Sequence, residues 1–199
     1  MTKKRPCVFL DRDGVINAGG LINSPEDLKL IDGAAEAIAA LKKAGFVVGI
    51  CTNQGGLSED FDGNVVWKQR PLTREKLSAI HAHMLNLLGP DAQPDFIKIC
   101  PHAKKIVCEC RKPKGGMLKE AGKEKNVDMA KSFMVGDMAT DILAGIDAGV
   151  TPVFVLSGFE PEQKDKCPAG TLVFPSLKEA AVHIIEAAKP KARASKKTK

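Results

Sequence analysis

The stretch PCVFLDRDGVIN, Pro6 to Asn17, is a short apolar run that ends directly in Asp11, Arg12 and Asp13. An unbroken apolar run of this length, closed by a turn signal at Gly14, reads as a strand buried on both faces. The acids then stand at its carboxyl end. The layout recurs along the chain. FVVGICTN (46–53) ends in Thr52 and Asn53, with Gln54 and Gly55 behind them. DFIKIC (95–100) leads into a cysteine-rich segment and Arg111-Lys112, and SFMVGD (132–137) ends in Gly136-Asp137, with Asp141 a helical turn later.

Helical patterns separate these runs. DGAAEAIAALKKAG (32–45) puts Ala34, Ile38 and Leu41 on one face, with Asp32 as its N-cap and Gly45 as its terminator. TREKLSAIHAHMLNLLG (73–89) turns Leu77, Ile80, Met84 and Leu87 inward, and leaves His81 and His83 on different faces without an assigned role. A helix follows from about Met117 to Lys125, then TDILAGIDAG (140–149), the strands TPVFVLSG and TLVF, and a last helix opened by a capping box of Ser176 and Glu179. Strands alternating with helices predict a three-layer, Rossmann-like α/β fold around a mainly parallel sheet. One domain over residues 1–188 is expected, followed by a disordered basic tail at 189–199. Ligands of such folds lie outside the carboxyl ends of the strands, where the polar residues collect.

The totals restrict the function classes. With 44% hydrophobic and 27% charged residues the chain has an ordinary globular composition. No apolar run approaches the ~20 residues of a membrane helix, and no signal-peptide pattern opens the chain, so a cytoplasmic monomer is expected. The net charge of +6 sits in the tail KPKARASKKTK, which holds six of the 30 basic residues; the remaining 24 face 24 acids. The tail reads as a solvated segment, and nucleic acid is not expected as a partner. Trp67, in the long segment 57–71, reads as pinning a hairpin turned at Asp62-Gly63. The acids there, Glu59, Asp60 and Asp62, read as a solvated loop. Cys7 and Cys51 fall within apolar runs and read as small buried hydrophobes.

Cys100, His102, Cys108 and Cys110 form C-x-H…C-x-C, the Cys₃His set of a structural Zn²⁺ site. Four protein ligands leave no position open for catalysis. On the rim, crowded acids call for a hard cation, and Mg²⁺ suits an all-oxygen set. A divalent ion, a lysine and a hydroxyl are what a transferring phosphoryl group requires. Asp141 reads either as support for the metal site or as an acid in the first turn of its helix.

FLDRDGVIN, ICTNQGG, RKP and MVGDMATD, in that order, resemble the four signature motifs of the haloacid dehalogenase (HAD) superfamily. The resemblance implies an aspartyl-phosphate mechanism with Asp11 as nucleophile and Asp13 as acid and base. It implies Thr52 and Lys112 on the phosphoryl oxygens, and Mg²⁺ held by the Asp11 carboxylate, the Asp13 backbone carbonyl and Asp137. The intervals between motifs hold no cap domain. With C-P-H…C-x-C-R-K-P between the second and fourth motifs, the chain is similar to the heptose 1,7-bisphosphate and histidinol-phosphate phosphatases, over about Cys7 to Gly158. That likeness implies substrate contacts from Arg111 and from Asn53 and Gln54, and a small phosphorylated metabolite as substrate. A sugar bisphosphate cleaved at its 7-phosphate comes first, with histidinol phosphate or a nucleic-acid 3′-phosphate as alternatives. The chain departs from the pattern at Asn17 to Ile22, which offers few polar sugar contacts, and at Met138, where a lysine is common.

Overall fold

The computed structural model describes residues 3–20, 22–60, 63–65 and 72–189. Leu21, Asp62, Trp67 and the tail beyond Lys189 lie outside them. Six strands, β1 (Cys7–Leu10), β2 (Val47–Asn53), β3 (Phe96–Cys100), β4 (Phe133–Gly136), β5 (Thr151–Val155) and β6 (Leu172–Phe174), form one sheet in the order β3-β2-β1-β4-β5-β6. Every pairing is parallel, with Phe9 at the centre in register with Gly49 and Met134.

Alternation along β1 divides the core in two. Val8 and Leu10 face α1 (Ala34–Lys43), α2 (Arg74–Leu88) and α5 (Leu177–Ala187), where Ile38, Leu41, Ile80, Met84 and Ile184 are buried. Cys7 and Phe9 face the other way, toward Met117, Leu118 and Ala121 of α3 (Gly116–Glu124). Gly145 of α4 (Ala139–Asp147) lies against Met134 on that same side. Burying each of these large aliphatic side chains contributes roughly 1.5–3 kcal/mol. Cys7 and Cys51 are fully buried, and burial pushes the Cys51 thiol up to about 12, as expected of inert core cysteines.

The chain runs outward from β1 to β3 with its helices on one face, then returns to β4 and β5 with helices on the other. Right-handed crossovers require that change of face. The reversal opens a crevice between the carboxyl ends of β1 and β4.

Two local expectations are corrected. On α2 the fourth inward residue is Leu88, not Leu87: Leu88 is 5% exposed and Leu87 43%, because the stripe advances by four residues after Met84. The cap of α1 is Gly33 rather than Asp32, since the chain enters the helix through a left-handed residue, φ 77°, that favours glycine. The capping box of α5 is present, with Glu179 accepting from the Ser176 backbone at 3.0 Å.

Candidate active site

Asp11 follows β1, Thr52 and Asn53 end β2, Asp137 follows β4, and Asp141 opens α4. These three strand ends and the start of α4 converge on one cleft of ≈ 730 Å³, together with Asp13, Arg111 and Lys112. Gln54, expected with them, instead lines an adjoining pocket with Arg12, Asp13 and Asn53.

At its floor Lys112 Nζ stands 2.9 Å from Asp11 Oδ1 and 2.6 Å from Asp141 Oδ1. Burial opposes the lysine's charge, and the two carboxylates outweigh it and raise its pKa. Burial also pushes the Asp11 carboxyl up to about 6, restrained by Lys112 and helped upward by Asp141 and Asp13. Asp141 is buried, and its second oxygen accepts from the Met138 backbone at 3.0 Å. It therefore caps α4 and anchors Lys112 at once. Asn53 fixes Lys112 from the other side, donating to its carbonyl and accepting from its N–H, each at 3.1 Å. Gln54 Nε2 donates to Thr52 Oγ1 at 2.9 Å and reaches Asp13 Oδ2 at 3.4 Å, so the two amides brace Lys112, Thr52 and Asp13.

Asp137 is enclosed at close quarters. A Cβ on Gly14, φ 79°, would lie 2.2 Å from its Oδ2, so a glycine is needed there for both conformation and space. Burial, then Asp11 and Asp141, pushes the Asp137 carboxyl up to about 8, and its buried Oδ1 finds no hydrogen-bond partner among the described residues. Ligand oxygens of Asp11, Asp137 and Asp141 lie within 4.8 Å of one another. An orphaned carboxylate oxygen in an under-neutralised cluster of hard donors fits a small divalent cation.

Beside this rim the four soft ligands meet. Sγ of Cys100 lies 3.6 Å from His102 Nδ1 and 3.7 Å from Cys108 Sγ; Cys110 Sγ lies 3.5 Å from Cys108 Sγ and 3.1 Å from His102 Nδ1. A tetrahedral zinc with ~2.3 Å sulfur bonds has edges of about 3.7 Å between sulfurs, so the cluster has the size that Zn²⁺ fits. Arg111 and Lys112 follow the last ligand directly, and Arg111 Nη1 donates to the His102 carbonyl at 3.4 Å.

Three features were not anticipated from sequence. Arg12 is 2% exposed and forks onto Asp13, with Nη2 at 2.9 and 2.8 Å from its two oxygens. His81 Nε2 lies 3.3 Å from Arg12 Nη1. Glu59 is not part of a solvated loop: it is buried and paired with Arg74 at 2.8 Å, while its backbone bridges to Val65 and to His102 of the cysteine-rich segment. A basic residue between two acids is a local hint for Arg12. A lone histidine on a helix offers none, because its partner is 69 residues away.

An acid cluster, a buried lysine and a hydroxyl at the switch point of a parallel sheet are the groups that the resemblance to HAD hydrolases calls for. The HAD-hydrolase-like family model matches residues 109–180. D-glycero-β-D-manno-heptose-1,7-bisphosphate 7-phosphatase of Vibrio cholerae serotype O1 is 34% identical over 195 residues, covering 93% of this chain and 99% of the relative. The enzyme of the same name from Escherichia coli K12 is 36% identical, covering 79% and 83%. The solved D,D-heptose 1,7-bisphosphate phosphatase of B. bronchiseptica, complexed with magnesium and phosphate, superposes with a TM-score of 0.81 at 31% identity, covering 92% of this chain and 99% of that one. The chain belongs to the heptose-bisphosphate phosphatase family of HAD-like hydrolases. Among the described residues no helix is long and apolar enough to cross a membrane.

Proposed function

We propose that this chain is a Mg²⁺-dependent phosphomonoesterase that removes the 7-phosphate of D-glycero-D-manno-heptose 1,7-bisphosphate. The observation that carries it is Lys112, buried between Asp11 and Asp141 at the sheet's switch point. Near-full-length similarity to heptose-bisphosphate phosphatases supports the substrate.

In this reading Asp11 Oδ attacks phosphorus, the ester P–O bond breaks, and Asp13 gives its proton to the departing alkoxide. Water then attacks the aspartyl-phosphate, Asp13 takes the water's proton, and the P–O bond to Asp11 breaks to release inorganic phosphate. Thr52 and Lys112 bind phosphoryl oxygens, and Arg111 with Asn53 and Gln54 contacts or braces the substrate side. Asp11, the Asp13 carbonyl and Asp137 would hold Mg²⁺, which supplies charge neutralisation for the phosphoryl oxygens. Cys100, His102, Cys108 and Cys110 would hold a structural Zn²⁺.

A side-by-side assay of phosphate release from the heptose bisphosphate, histidinol phosphate and a 3′-phosphorylated oligonucleotide tests the substrate. The heptose bisphosphate is expected to have the highest kcat/KM by at least about tenfold. A higher value for either competitor would transfer the assignment to it.

The metal reading carries its own pH signature. Asp11 and Asp137 have folded pKa values of about 6 and about 8, above the ordinary carboxylate range. A carboxyl so raised stabilises the fold while protonated, and that contribution is lost as pH rises from about 4 through the folded values. Metal-free protein is expected to lose roughly 5 °C or more of melting temperature between about pH 5 and about pH 8. Millimolar Mg²⁺ is expected to restore it at the higher pH and do little at the lower. A Mg²⁺ effect equal at both pH values would contradict a site built on these carboxylates.

A further inference from the structure

Asp13 is gripped unevenly. Its Oδ1 accepts from Arg12 Nε at 3.2 Å, Arg12 Nη2 at 2.9 Å and Asn17 Nδ2 at 3.0 Å. Its Oδ2 accepts from Arg12 Nη2 at 2.8 Å and otherwise has only the long 3.4 Å contact from Gln54. Oδ1 is saturated, which leaves Oδ2 the less encumbered of the two oxygens.

The fork works only if the guanidinium is held still. Arg12 uses Nε and Nη2 on Asp13, and its remaining nitrogen, Nη1, meets His81 Nε2 at 3.3 Å. An arginine has no acceptor, so His81 must be neutral at Nε2, with its ring proton on Nδ1. Burial, then the Arg12 charge, pushes the His81 pKa down to about 4, which keeps it so.

We infer that His81 and Arg12 are positioning residues for Asp13: His81 fixes the Arg12 guanidinium from across the α2 interface, and the fork anchors Oδ1 and leaves Oδ2 the freer oxygen for the reaction. The inference rests on the proposed acid role of Asp13.

The test uses leaving groups of different basicity. Up to release of the alcohol, kcat/KM reports proton delivery for a basic leaving group, phenoxide, and hardly at all for p-nitrophenoxide. His81→Asn, whose amide ends near Nδ1 and cannot reach Arg12, is expected to lose about tenfold in kcat/KM on phenyl phosphate and less than about twofold on p-nitrophenyl phosphate. His81→Gln, whose amide oxygen reaches the Nε2 position, is expected to restore both. Equal losses on the two esters mean a merely structural histidine, and no loss means no role; either overturns the inference. Asp11→Asn serves as the separate control: if it retains turnover, the aspartyl-phosphate reading fails whatever His81 does.

Discussion

Asp11→Asn is expected to lower kcat by on the order of 10⁴ or more while leaving the melting temperature of the metal-free protein unchanged or higher. The amide keeps the side chain's shape. Its oxygen can still accept from the Arg12 backbone, at 2.8 Å in the native site, and from Lys112, at 2.9 Å. What disappears is the proposed nucleophile and one negative charge. The charge matters for stability because burial and repulsion from neighbouring carboxylates already hold Asp11 and Asp137 at raised pKa values. With Asp11 neutral, Lys112 still has Asp141, and Asp137 loses its main repulsive neighbour. The variant should therefore be inactive through chemistry, not through unfolding, and should need more Mg²⁺ for a given thermal shift. Phosphate release near the native rate from a correctly folded variant would remove Asp11 as nucleophile.

Cys108→Ser, or stripping metal with a strong chelator, is expected to lower kcat/KM by about 10² or more and to release close to one zinc per chain. Without a metal, three thiols and an imidazole are crowded together. Burial and the neighbouring thiols keep Cys110 protonated, and only Cys108 has a lowered pKa, where hydrogen bonds from Cys110 and the Arg111 backbone outweigh burial. Such a cluster has little reason to stay closed, whereas structural zinc in finger peptides supplies ~10–16 kcal/mol of apparent binding energy. The consequence reaches the reaction because Cys110 is two residues from Lys112. A displacement of ~1 Å at a phosphoryl-binding lysine is enough for a hundredfold loss. Full activity in folded, zinc-free protein would sink this reading.

The strand ends were readable in the sequence because four short apolar runs each stop at polar residues, and a parallel sheet must bring such ends to one edge. The Cys₃His cluster was readable for a similar reason, since its ligands are close in the chain and come as two pairs with one residue between partners. What could not be read were pairings made across the fold. Glu59 is an acid in a polar loop until α2 brings Arg74 beside it, and His81 is an unremarked helical residue until β1 turns Arg12 toward it. Asp141 stood between two readings, and its burial against Lys112 gives it both a capping and a charge-anchoring place. The error at Leu87 has a geometric origin: with 3.6 residues per turn, a stripe can step by three or four, and only the neighbouring helix decides which.

The salt-bridged lysine has one more consequence. A lysine in open water would have to shed its hydration shell whenever an ester entered, and reorder it whenever phosphate left. Lys112 is 3% exposed and already lies between two oxyanions. In the proposed reaction an arriving phosphoryl oxygen would therefore exchange one anionic neighbour for another in surroundings that barely reorganise. Water is stripped from this ammonium group once, when the chain folds, and not again with each turnover.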